Sequence, residues 1–258
     1  MIFAELHWYG YLLALFFGLG CGSYATMPAH RLPRGEPAGG RWIGPKSKCP
    51  GCGAQLRTRD LVPVFNWLLT GGKCQFCGRE ISLNYLFIEA SCAIVSVFLY
   101  WRFNFTETYI LLMILGTSTV VLLSTDWRHH MFPRQVIYAI LLAGVAYRVL
   151  QDHELFYMIN STVASLLACF AYKGFNEQRG REVARYDYLQ FIGLTGIWLD
   201  EPQLVTYFAM AGLFYLIFRA IEKTARVKLA YGACVVMPLF IHLIVYIPGT
   251  IGKLLRQF

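Results

Sequence analysis

Long apolar stretches alternate with short polar connections along most of the chain. Eight such stretches stand out, roughly Trp8–Met27, Asn84–Trp101, Tyr109–Trp127, Gln135–Leu150, Leu155–Tyr172, Tyr188–Leu199, Gln203–Ala220 and Leu229–Ile247. Most approach the ~20 residues needed to cover the hydrocarbon core of a bilayer as a helix. The pattern predicts an all-α integral membrane protein with about eight transmembrane helices. The sixth stretch is short, so it must start before Asp187 or lie partly in a protein-lined cavity. The first lacks a basic flank and a small-residue cleavage site, which predicts a retained span rather than a signal peptide. The exception to the pattern is the polar, cysteine-bearing segment 28–83. The expected organisation is therefore a first transmembrane helix over 1–27, a soluble module over 28–83 and a transmembrane domain over 84–258.

Composition sharpens this. Hydrophobic residues make up 57% of the 258 and charged residues 15%, against about 45–50% and 25% in ordinary globular domains. The formal net charge is +8. In a soluble chain that would point to nucleic acid; here it follows topology. With segment 28–83 in the cytoplasm, 19 of the 23 Lys and Arg fall on that side and four (Arg102, Arg148, Lys253, Arg256) elsewhere, as the positive-inside rule requires. The expected location is a membrane crossed many times, with lipid as partner and the cysteine module on the cytoplasmic side. No groove-reading motif or aromatic-basic platform appears, so no nucleic-acid partner is expected.

Four of the eight cysteines form one pattern, Cys49-Pro50-Gly51-Cys52-Gly53 and Cys74-Gln75-Phe76-Cys77-Gly78, with 21 residues between the pairs. Two such knuckles converge four thiolates on one ion, and the Gly after each pair permits the tight turn. Zn2+ is the expected metal, because a closed four-thiolate site suits it; an iron site is the main alternative. Four Cys ligands leave no open position, so the role is structural, supplying folding free energy to a small module. Cys21, Cys92, Cys169 and Cys234 read as small buried hydrophobes.

Three acids sit at span ends on the cytoplasmic side: Glu89, Asp126 and Asp187. Charges at membrane depth are costly and mark functional sites. Asp126 ends the third span and Asp187 opens the sixth, so packing could bring them together. Two carboxylates sharing one site give an acid and a base, the equipment of an aspartic peptidase. The bland alternative is that each is a solvated helix end, or is neutralised by Arg128 or Arg185. His129 and His130 point to different helix faces and make a poor metal pair. The Gly18-Leu19-Gly20-Cys21-Gly22 run predicts close helix packing.

These motifs resemble those of the bacterial type IV prepilin leader peptidase/N-methyltransferase family, intramembrane aspartic peptidases. Gly22-Ser23-Tyr24 with His30-Arg31-Leu32-Pro33, the two Lys-Cys-x-x-Cys knuckles, Asp60-Leu61-Val62-Pro63, and Ile81-Ser82-Leu83-Asn84-Tyr85 with Glu89 are similar to the family's N-terminal half. Thr125-Asp126-Trp127-Arg128-His129-His130-Met131-Phe132-Pro133 resembles its first catalytic motif, and Gly180-Arg181-Glu182 and Gly196-Ile197-Trp198 flank its second. The resemblance implies that segment 84–258 is a peptidase domain with Asp126 and Asp187 as catalytic residues. It implies cleavage of prepilin or pseudopilin leaders after a Gly. It also implies methylation of the new N-terminus with S-adenosylmethionine as donor, for which no fingerprint is visible. The chain departs from the family at the second motif. Ala184-Arg185-Tyr186-Asp187-Tyr188-Leu189-Gln190 stands where the family has Gly-x-Gly-Asp-x-Lys, and ungapped alignment of the flanks puts the family's acid at Tyr188. Arg134 replaces a further family Asp. This supports an alternative: a catalytically degenerate homologue that binds prepilins or secretion machinery without cutting.

Overall fold

The computed structural model describes residues 7–37, 48–49, 51–57, 60, 62–150, 155–180, 185–225 and 229–246. Pro50, Leu61, Arg181, Glu182, Ala184 and Ile247 of the motifs and stretches above lie outside the described residues. Among those described, the chain is all-helical: α1 (His7–Arg31), α2 (Phe65–Leu69), α3 (Leu83–Phe103), α4 (Glu107–His129), α5 (Arg134–Leu150), α6 (Leu155–Gln178), α7 (Tyr186–Leu194), α8 (Glu201–Ala225) and α9 (Ala233–Tyr246), with 3-10 turns at Leu32–Arg34 and Thr195–Ile197. Each apolar stretch carries a helix. Four segments, Trp8–Arg34, Leu83–Phe103, Glu107–His129 and Glu201–Thr224, are long and apolar enough to cross a membrane. Their outward faces are apolar too: Leu13 and Phe16 on α1, Phe87 and Ile94 on α3, and Val205, Leu213 and Leu216 on α8 are all exposed. Faces of this kind suit lipid, not water. This is a membrane protein.

The chain divides into two compact units, Met1–Ser124 and Thr125–Phe258. In the first, α1 packs along α3. A Cβ on Gly18 would lie 2.7 Å from the Ala93 Cα, and one on Gly22 2.6 Å from the Glu89 Cα. Glycines four apart thus let two backbones touch, the small-residue packing that replaces a hydrophobic driving force in lipid. Gly20, between them, faces open space. The Ser96 hydroxyl seals the same seam, at 2.5 Å from the Ala14 carbonyl and 2.7 Å from the Tyr109 hydroxyl. Ser82 caps α3, its side chain accepting from the Asn84 N–H at 3.3 Å.

In the second unit the short sixth stretch has a specific solution. α7 runs only from Tyr186 to Leu194 and tightens into a 3-10 turn over Thr195–Ile197. The carbonyls this leaves are taken by buried side chains: Ser165 donates to Ile192 O at 2.7 Å, Ser161 to Gly196 O at 2.8 Å and Arg148 Nε to Ile197 O at 2.9 Å. Irregular backbone in a protein interior is tolerated when its polar groups are satisfied in this way. Gly196 is obligatory here, because a Cβ would sit 2.4 Å from the Ser161 carbonyl oxygen. The buried Arg148 also pairs with Asp200 at 2.6 Å.

Candidate functional site

The cysteine module is built from two copies of one turn. Cys49 N–H donates to Ala54 O at 2.9 Å and Cys74 N–H to Arg79 O at 2.8 Å; Gly53 N–H donates to Cys49 O at 2.9 Å and Gly78 N–H to Cys74 O at 2.8 Å. Isolated antiparallel bridges, Lys48 to Gln55 and Lys73 to Glu80, close each copy. Gly53 and Gly78 both adopt φ of +70°, the left-handed region that disfavours a side chain. The sulfurs of Cys49, Cys52, Cys74 and Cys77 all lie within 4.8 Å of one another. Cys49 and Cys77 are 3.9 Å apart, near the roughly 3.8 Å edge of a tetrahedron with ~2.3 Å zinc–sulfur bonds. N–H groups of Cys52 and Gly51 pull the Cys49 thiol down to about 6, whereas Cys77 beside it, despite the Arg79 N–H, is pushed up to about 11 by desolvation and by neighbouring thiols that oppose a further charge. The donor set fits Zn2+.

Beside this module, still in the first unit, is a cavity of about 1050 Å3. Asp60 and Glu89, Arg31 and Arg34, and the rings of Tyr24 and Trp67 line it. The Glu89 carboxylate accepts the Val64 N–H at 2.7 Å. Val64 has φ of 61°, a strained conformation for a β-branched residue. The acid at this span end therefore fixes strained backbone in the cavity wall.

The second unit holds the two aspartates. Asp126 lies in the last turn of α4 and is 1% exposed. Its Oδ2 accepts the Gly232 N–H at 2.6 Å, and its Oδ1 accepts the Tyr188 hydroxyl. Gly232 also accepts from Val236 N–H at 3.0 Å, so it sits at the start of α9. The carboxylate thus meets a helix N-terminus, where the free N–H groups and the dipole favour negative charge. A Cβ on Gly232 would lie 2.5 Å from Asp126 Oδ2 and 2.6 Å from Phe132 Cε1, so only glycine lets the amide come this close. Beyond Asp126 the chain turns sharply: His130 N–H closes on Asp126 O at 2.9 Å, with φ of 50° at His130. That turn carries Phe132 back across the cluster, its ring edge-on to Tyr188 at 4.7 Å and to Phe191 at 5.7 Å.

Asp187, in the first turn of α7, accepts the Phe132 N–H on Oδ2 at 2.8 Å and pairs through Oδ1 with Arg185 Nε at 3.2 Å. The two aspartates therefore belong to one cluster built around Phe132, but they have different partners. Tyr188, the next residue along the helix, reaches Asp126 instead. One helical step is about 100°, which is why the neighbours Asp187 and Tyr188 reach different partners.

Sequence reasoning missed the part played by Gly232. Its only sequence signal was a glycine ahead of an apolar run. It also missed the hydrogen bond of Tyr188, although the motif offset pointed at that position.

The fold and sites define an all-helical membrane protein with a four-thiol cluster in one unit and a buried, amide-bound carboxylate in the other. Residues 16–103 match the family model described as Bacterial Peptidase A24 N-terminal domain. The chain is 26% identical to the prepilin leader peptidase/N-methyltransferase of Stutzerimonas stutzeri, over 72% of each chain. It is 23% identical to that of Pseudomonas aeruginosa over 78% of each. To that of Pectobacterium carotovorum it is 27% identical, over 73% of this chain and 70% of the relative. The N-terminal part of the chain is thus similar to bacterial A24 peptidases, and most of its length is similar to prepilin leader peptidase/N-methyltransferases. No solved structure matches it.

Proposed function

We propose that this protein is a membrane aspartic endopeptidase that removes prepilin or pseudopilin leaders after Gly on the cytoplasmic side. The observation that carries the reading is the buried Asp126 carboxylate, held by the Gly232 amide and the Tyr188 hydroxyl, while Asp187 accepts the Phe132 N–H in the same cluster. A carboxylate has about four acceptor sites, and two stay available after the Gly232 and Tyr188 bonds. Asp126 then takes a proton from water as general base, the water adds to the scissile carbonyl, and the proton passes on to the leaving amine. Asp187, beside Phe132, is the second acid. All eight apolar helices lie in the membrane in this reading, and the cysteine module is cytoplasmic.

The family's second activity, N-methylation of the new N-terminus, needs S-adenosylmethionine. The first-unit cavity fits that donor: Asp60 and Glu89 suit its ribose and ammonium, Arg31 and Arg34 its carboxylate, and Trp67 its adenine. When bound, the donor supplies an activated methyl group. Zn2+ on the four cysteines has a structural part.

A second reading is a degenerate homologue that binds prepilins or secretion machinery without cutting. The Tyr188 hydroxyl on Asp126, and the Arg185 and Phe132 contacts of Asp187, favour it. One assay separates the two. Prepilin is incubated in membranes with wild type, Asp126→Asn and Asp187→Asn, with the exposed Glu107→Gln as control. The peptidase reading expects cleavage by wild type and control, and its loss in both aspartate variants. Intact prepilin retained by the wild-type protein would favour the second reading.

A further inference from the structure

Among the described residues, Tyr188 hydrogen-bonds Asp126 directly through its side chain. It is 9% exposed, and its ring is held edge-on to Phe132. Its hydroxyl donates to Asp126 Oδ1 while the Gly232 N–H donates to Oδ2 at 2.6 Å. Each carboxylate oxygen thus has one fixed donor, and the two come from different elements, α7 and the start of α9. Such a clamp sets the rotation of the carboxylate and leaves its remaining lone pairs in one direction. A hydrogen bond to an ionised acceptor is also stronger than a neutral one.

We propose that Tyr188 is a positioning residue of the cleavage reaction, its hydroxyl orienting the Asp126 carboxylate for proton removal from water. The inference rests on the peptidase reading above. Packing alone would not need the hydroxyl, because the contact with Phe132 is made by the ring. The phenol remains protonated throughout: it donates to Asp126 and gives up no proton, so the balance of the reaction is that of peptide plus water.

The test is initial-rate kinetics of prepilin cleavage in vesicles by wild type, Tyr188→Phe and Tyr188→4-aminophenylalanine. Metal content and thermal midpoint are measured on each. Tyr188→Phe keeps the ring and removes the donor. Its kcat should fall about 10- to 100-fold, the scale of one hydrogen bond to a charged group, with KM within about twofold of wild type. The 4-amino ring returns an N–H donor at similar reach and should recover kcat to within about fivefold. A Tyr188→Phe enzyme with wild-type kcat overturns the proposal, as does a loss that appears in KM or that the amino ring does not rescue. Should Tyr188→Phe misfold, the amino-ring variant decides alone: activity near wild type supports the proposal, and a folded, inert protein overturns it. Cleavage by Tyr188→Phe but not by wild type would make the tyrosine a block and also overturn it. A wild-type chain inert alongside both variants instead overturns the peptidase reading, and this inference with it.

Discussion

Single residues at the Asp126 cluster do work that their types did not advertise. Gly232 contributes only a backbone N–H and the absence of a Cβ, yet both are needed for that amide to reach Asp126. Gly232→Ala should push the carboxylate or the Phe132 ring away, since the added atom would lie within 2.6 Å of both. The expected outcome is a loss of cleavage of at least about tenfold, from the amide bond alone, with metal content unchanged. Comparing rate and metal per chain in the same preparation checks it. Asp126 was legible in the sequence because an acid at the end of an apolar run is costly. Its partners were not, because a helix start and a tyrosine one step past the expected acid become neighbours only through packing. Asp200 shows the same limit. It reads as an ordinary acid between two apolar stretches, but it pairs with the buried Arg148. Asp200→Asn should therefore destabilise the protein by about 1–3 kcal/mol, seen as a lower midpoint in thermal unfolding.

At the scale of elements, the sequence was most informative where chemistry repeats at fixed spacing. The two Cys-x-x-Cys-Gly turns fold alike because each glycine supplies the same positive φ and each first cysteine the same pair of backbone bonds. Four sulfurs then converge. Cys52→Ser should lower bound metal well below the wild-type level, measured as metal per purified chain, and equal content in both would reject the assignment. The glycine run of α1 was also legible, but only in part. Gly18 and Gly22 meet α3, whereas Gly20 does not, as a period of 3.6 residues requires. The short helix α2 and the broken end of α7 were less visible. α7 stops where Ser161, Ser165 and Arg148 can take its carbonyls, and those residues come from other helices.

For the whole molecule, the length of the apolar stretches was enough to expect helices at all eight. Four of them meet the length and composition of a membrane crossing. Charge adds an expected orientation: nine of the 23 Lys and Arg lie in segment 28–83, and an eight-span topology would put ten more on the same side, so the cysteine module should face the cytoplasm. A Cys introduced at Gly39 should resist an impermeant thiol reagent in intact cells and react once the membrane is opened. Reaction in intact cells would reverse the topology. Orientation matters here because a chain of this topology should cut prepilin on the cytoplasmic side. Mass spectrometry of a prepilin incubated with the purified wild-type protein in lipid tests that cleavage most directly. The expected product is shortened by its leader, with a new N-terminus directly after Gly, and none forms with Asp126→Asn. A prepilin that keeps its full mass with the folded, metal-loaded wild-type protein would contradict it.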